Sequence, residues 1–247
     1  VITINHLRQL IGPQTILCAG FTYLALPNSL ETARFLNPSE RSLAISRQSH
    51  STNPNKEVDE PFSWPEVRRA FTSPLTYLTS LAYFALLTAI YSIGVFLPTI
   101  IVQLGAGYTA HQAQLMTVPP YAVAACTTLA VAFLSDRLQA RGPVMLCTMP
   151  VAIVGYAVIA NSKDSGVKYG MTFLMATGVY SSVPPVLAWL ANNSAGHYKR
   201  ATAAALQLAV ANCGGVLSVF LYPDSEAPLF RRSHSVVLGL LVAGWFL

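Results

Sequence analysis

Five stretches of this 247-residue chain contain no Asp, Glu, Lys, Arg or His: Tyr77 to Ile101, Ala113 to Leu134, Pro143 to Ala160, Tyr169 to Leu190, and Ala201 to Tyr222. An α-helix rises about 1.5 Å per residue and the hydrocarbon core of a bilayer is about 30 Å thick, so about twenty apolar residues cross it. An Asp or Lys at mid-helix costs about 2.5 to 3.5 kcal/mol on insertion, so charge-free runs of this length mark helices whose solvent is lipid. Composition agrees, with 53% of residues hydrophobic and 10% charged, against about a quarter charged in an ordinary soluble domain. The expected fold class is an all-α polytopic membrane protein.

Two further apolar stretches are shorter. Residues 235 to 247 are too few to cross the hydrocarbon and read as a truncated last helix. "LIGPQTILCAGFTYLALP", residues 10 to 27, reads as the remnant of a preceding transmembrane helix. The competing reading is the apolar region of a signal peptide, since Arg8 precedes it and small residues follow. The expected organisation is therefore a helix remnant over 1–27, a hydrophilic central loop over 28–74, and a transmembrane bundle over 75–247. Within the loop, "NPSERSLA" offers Asn37 as a cap, Pro38 at the first helical position and Glu40 three residues after the cap. "SWPEVRRAF" repeats this logic with Ser63 and Glu66. Two short surface helices are expected, joined by the disordered-looking "RQSHSTNPNKEVDEP".

The net charge of +5 does not point to nucleic acid, because the basic residues are spread thinly through the loops without interleaved aromatics. They are uneven across the expected membrane. The central loop, Arg137, Arg141, Lys199 and Arg200 fall on one side; Arg8, Lys163, Lys168, Arg231 and Arg232 fall on the other. The positive-inside bias then places the central loop in the cytoplasm, and with it the Asn192 sequon, which should stay unglycosylated. Cys18, Cys126, Cys147 and Cys213 each stand alone in apolar surroundings, so neither a disulfide nor a metal site is expected, and no cofactor is implied. An intramembrane enzyme would need a nucleophile with its base or a metal cluster at membrane depth, and neither G-x-S-x-G nor H-E-x-x-H is present.

"FLSDRLQARG", residues 133 to 142, sets Asp136, Arg137 and Arg141 in a short turn between two spans, with Arg141-Gly142-Pro143 as turn and helix start. The charges serve either as topological anchors or as a conformational latch, in which Asp136 pairs with Arg groups near neighbouring helix ends. "SDRLQAR" resembles the D-R-x-x-x-R loop of major facilitator transporters. "LPNSLETARFL", "FSWPEVRRAFTSPLTYL", "FLPTIIVQLG", "QLMTVPPYAVA", "PPVLAWLANNSAGHYKRA", "LQLAVANCGG" and "YPDSEAPLFRRSH" follow in the order seen in the anion:cation symporter family, notably its fungal allantoate, nicotinate and pantothenate permease-like members. Asn28, Leu30 and Ser233 depart from the family pattern.

The resemblance implies the C-terminal six-helix half of a twelve-helix fold, in the plasma membrane, that moves a small organic anion such as a carboxylate, vitamin or ureide, with protons as the coupling ion. The alternative is a truncated membrane protein that does not transport and acts at most as an interaction partner. Its partners would be the substrate, the lipid bilayer and either the missing N-terminal half or a partner subunit. Transporters of this kind bind near the midplane beside interrupted helices. The interruptions here are Pro98, Pro119, Pro120, Pro184, Pro185, Gly214 and Gly215, expected as helix kinks. Polar groups inside spans are costly in lipid, which makes Gln207, Asn212, Tyr91, Tyr121, Tyr180 and Asn192 the candidate substrate contacts; interhelical hydrogen bonding is the other use of each. Gln207 and Asn212 lie about 140° apart on a helix, so one is expected to face substrate and the other a neighbouring helix. No carboxylate or His falls within an expected span, so proton-carrying and anion-anchoring groups are expected outside this chain; His111, His197 and His234 fall at span ends.

Overall fold

The computed structural model describes residues 16–24, 27, 33, 35–51, 62–102, 107, 109–162, 164–223, 226 and 230–247. The first fifteen residues, most of "LPNSLETARFL" and the linker 52–61 lie outside the described residues, so the expectations that fall there are not taken up again. The chain divides into two compact units, residues 1–61 and 62–247.

In the first unit, residues 16–24 are helical and exposed, and α1 runs Pro38–Ser51. Half of the expected capping box forms: the Asn37 N–H donates to Glu40 Oε2 at 3.0 Å. Arg41 Nη2 donates to the Ala33 carbonyl at 2.8 Å, folding the preceding strand of chain back on the helix. Residues 47–51, expected in the disordered-looking linker, continue α1.

The second unit is a helical bundle: α2 Trp64–Thr72, α3 Pro74–Val102, α4 Ala110–Met116, α5 Val118–Leu138, α6 Arg141–Asn161, α7 Ser165–Asn193, α8 His197–Leu221 and α9 Arg231–Phe246. Five segments are long and apolar enough to cross a membrane, and they coincide with the five charge-free stretches; no strand occurs among the described residues. The second is divided. Thr109 begins α4 with a full capping box to Gln112, and a turn at Thr117 separates α4 from α5, whose first two positions include Pro119.

Helices α3 and α7 form the inside of the bundle. α3 packs on α8, α9 and α7; α7 packs on α6, α5 and α3. Tyr156, Leu86, Ile93, Leu97, Ile101, Met149, Met175 and Leu241 are sealed in the core between them. Lipid offers no hydrophobic drive for helix association, so close van der Waals approach must supply it. The α6–α7 seam does this with glycine. A Cβ on Gly178 would overlap the Ala152 backbone, and one on Gly155 would lie 2.9 Å from Met175 Cγ. By contrast, α5 and α8 are covered on one side only: 17% and 22% of their apolar windows are buried, against 56% for α3.

Several local expectations are corrected. The turn after α5 uses Gln139, in the left-handed region at φ 50, and α6 starts at Arg141, so Gly142 and Pro143 lie inside its first turn. The last helix begins at Arg231 rather than Ser235, which puts Arg231, Arg232 and His234 inside it. Ser63 makes no side-chain cap. Glu66 instead turns away, and its Oε2 accepts the Tyr198 N–H at 3.2 Å, so it caps α8 rather than its own helix. Gly196, at φ +96, leaves room for that carboxylate, 3.0 Å from where a Cβ would sit.

Candidate functional site

Four of the six candidate contacts form two pairs, Tyr91 with Asn212 and Tyr121 with Tyr180. On α3, Tyr91 is 38% exposed, and its hydroxyl donates to Asn212 Oδ1 of α8 at 2.9 Å. The Asn212 amide donates in turn to the Leu208 carbonyl at 2.7 Å, which fixes the orientation of its side chain. Gly215 lies beneath the Tyr91 ring, where a Cβ would stand 2.8 Å from Cε2. On α5, the Tyr121 hydroxyl reaches the Ile93 carbonyl at 3.4 Å, two residues beyond Tyr91, so both phenols lie at one level of α3. Tyr121 also meets Tyr180 of α7 edge to face, with ring centroids 5.9 Å apart. Ser181, the residue after Tyr180, donates from Oγ to Thr127 Oγ1 at 3.4 Å, joining α7 to α5 again.

The other two candidates lie elsewhere. Gln207 is buried in the α3–α8 seam, with Nε2 3.5 Å from the Thr79 carbonyl. Thr79 precedes Tyr91 by about 18 Å of helix. Both residues of α8 thus bond α3, Gln207 in the buried part of the seam and Asn212 at its exposed edge. Asn192 is exposed in the last turn of α7, about 18 Å along that helix from Tyr180.

The expected interruptions take three forms. Pro98, Pro184 and Pro185 are inside continuous helices. Pro119 and Pro120 sit at the start of α5, where a missing N–H is tolerated. Pro120 still deprives the Met116 carbonyl of its helical donor. The Tyr169 hydroxyl of α7 supplies one at 3.1 Å. Gly214 and Gly215 do not interrupt α8, which is helical throughout. They allow contact with α3: a Cβ on Gly214 would lie 2.8 Å from the Phe84 carbonyl. Pro150, a proline that the sequence reading passed over, leaves the Leu146 carbonyl free inside α6, and Trp245 Nε1 of α9 donates to it at 3.2 Å.

The expected latch contracts to one pair. Arg141 Nη2 lies 3.3 Å from Asp136 Oδ1, joining the end of α5 to the start of α6, and the Asp136 side chain is 73% exposed. Such a pair contributes at most about 1 kcal/mol. Arg137 is exposed and takes no part in it. Behind the pair, Ser135 Oγ is buried without a partner, beside a pocket of about 210 Å³ that Pro184 and Pro185 also line.

A second polar group, at the opposite end of the bundle, escaped the sequence reading. His234 is 2% exposed, and its Nδ1 lies 3.2 Å from the Tyr222 hydroxyl. Tyr222 stacks on Phe96 with centroids 4.5 Å apart. Lys168, in the first turn of α7, is 8% exposed, and its ammonium has no acidic partner among the described residues. The sequence placed His234 at a span end, whereas Lys168 in "GVKYG" lay one residue outside a charge-free run and was expected in a loop. No cluster of His, Cys, Asp and Glu able to hold a metal occurs among the described residues.

The tyrosines and Asn212 can donate and accept hydrogen bonds, and the tyrosine rings can stack on a planar ring. The arrangement suits reversible recognition rather than bond making. It defines a polytopic helical membrane protein with a polar aromatic band where its least covered helices, α5 and α8, meet its interior ones. The profile of the Major Facilitator Superfamily matches residues 10–219, and the chain belongs to that family, which is one of transporters and not of enzymes. An uncharacterized transporter of Schizosaccharomyces pombe is 36% identical over 89% of this chain and 43% of its own length. The high-affinity nicotinic acid transporter of Saccharomyces cerevisiae is 29% identical over 92% of this chain and 42% of its own. The MFS transporter prlL of Fungal sp. (strain NRRL 50135) is 30% identical, over 93% and 46% respectively. The chain therefore spans less than half the length of these relatives.

Proposed function

We propose that this chain forms one wall of the substrate path of a secondary transporter for a small organic anion, and that Tyr91, Asn212, Tyr121 and Tyr180 are the contacts on that wall. The observation that carries the reading is that the Tyr91–Asn212 pair and the Tyr121–Tyr180 pair engage α3 at neighbouring positions, residues 91 and 93. Phenol and amide hydrogens suit carboxylate oxygens, and the rings suit a flat heterocycle; the nicotinic acid relative makes a pyridine carboxylate the first substrate to try. Residues 28–74 are the cytoplasmic loop in this reading, the membrane is the plasma membrane, and protons are the coupling ion. Asp136 and Arg141 then act as a weak latch on the cytoplasmic face.

The test is uptake of labelled nicotinate and of a panel of other monocarboxylates by yeast lacking its own carrier, comparing wild type with Tyr121→Phe and Asn212→Ala. Saturable uptake that acidification stimulates and either substitution weakens supports the reading. Uptake of none of the panel, with the protein correctly inserted, overturns it. The second reading, a membrane-embedded partner that does not transport, is favoured by the uncovered faces of α5 and α8. It predicts stable co-purification of a membrane protein and no uptake.

A further inference from the structure

Helix α2 is nine residues long, and only Ser73 separates it from α3. A helix so close to a membrane span lies at the level of the lipid headgroups. Its two faces differ completely. Toward the bundle, Glu66 accepts the Tyr198 N–H and Ala70 is fully buried with Leu190 and Ala203. This tethers the helix to the start of α8 and fixes which side points outward. The outward side carries Trp64, Pro65, Arg68, Arg69 and Thr72, spaced one turn apart, which together line an open groove of about 480 Å³. Trp64 is 72% exposed, and Phe62 and Phe71 flank the groove, also exposed. Neither Arg68 nor Arg69 has a side-chain ion pair or hydrogen bond among the described residues.

The one acid of this helix is thus turned inward and spent on α8, while both arginines are left outward beside an indole. Tryptophan prefers the boundary between hydrocarbon and headgroups, and guanidinium binds phosphate through paired N–H donors. We propose that the outer face of α2 is a binding site for the headgroup of an anionic phospholipid, with Arg68 and Arg69 on the phosphate and carboxylate and Trp64 against the glycerol and upper acyl chain. The occupant is a lipid rather than a protein, because the groove opens sideways beside the start of a span and its charge complements an acidic leaflet. This holds whether or not the chain carries substrate.

The test uses the full chain in nanodiscs of phosphatidylcholine containing increasing amounts of brominated phosphatidylserine, reading tryptophan quenching, with Trp64→Phe identifying the component due to Trp64. Half-maximal quenching of Trp64 is expected at a phosphatidylserine fraction about tenfold below that needed when brominated phosphatidylcholine is the quencher. Arg68→Gln with Arg69→Gln should abolish that preference, since each basic residue near an acidic surface is worth about a fivefold change in affinity. Arg68→Lys with Arg69→Lys should keep part of it. Raising salt to 0.5 M should weaken the preference in the wild type, an arm that needs no variant to fold. Equal quenching by the two lipids, or a preference that survives both the Gln pair and high salt, would overturn the proposal.

Discussion

The two closest helix seams of the bundle use the same device to different ends. Along α6–α7, Gly155 and Gly178 bring two backbones together, with buried Met149, Tyr156, Met175 and Val179 packed along the seam and an apolar cavity of about 410 Å³ beside Gly178. Along α3–α8, Gly214 and Gly215 do the same, but the seam opens at one edge, where Tyr91 and Asn212 are exposed. Small residues in the first seam serve packing alone. In the second they also hold a polar pair at a surface, so a single glycine there has both a structural and a recognition role.

The sharpest way to break this comparison is Gly178→Leu. The new side chain would run into the Ala152 backbone, which cannot shift without moving α6, so a loss of about 3 kcal/mol or more is expected. Fluorescence-detected size exclusion should show the folded peak gone. Gly215→Val should separate the two roles: the Tyr91 ring is half-exposed and can swing aside, so the peak survives while saturable uptake falls about tenfold or more. Smaller again is the Tyr91–Asn212 bond itself. Tyr91→Phe and Asn212→Ala should each cost about 1 kcal/mol in substrate affinity, and the double variant no more than either alone, as a double-mutant cycle would report. Least of all, Asp136→Asn should change the melting temperature by less than the scatter between preparations, because the pair with Arg141 is solvated.

Much of this was legible beforehand, and the reason is the solvent. A bilayer punishes charge along the whole length of a helix, so the five spans appear as uninterrupted runs. What the sequence hid depends on partners far along the chain. Glu66 has the spacing of a local capping box, but its acceptor role is played to Tyr198, 132 residues away. Gly214 and Gly215 look like a break until α3 is set against them. Lys168 was expected in a loop because a charge ends a hydrophobic run on paper, whereas in three dimensions the helix simply continues around it.

Pro120 and Pro150, which leave the Met116 and Leu146 carbonyls to donors from α7 and α9, have a consequence for biogenesis. A helix entering the bilayer normally brings all of its hydrogen bonds with it, but the segments containing Pro120 and Pro150 each bring one vacancy. Met116 stays unsatisfied until Tyr169 arrives, and Leu146 until Trp245 arrives. Each vacancy belongs to an earlier segment and each donor to a later one, so the defects reward correct neighbours in the order in which the chain emerges. The prolines thus act as checkpoints on assembly, and a span that docks in the wrong place leaves one of them open.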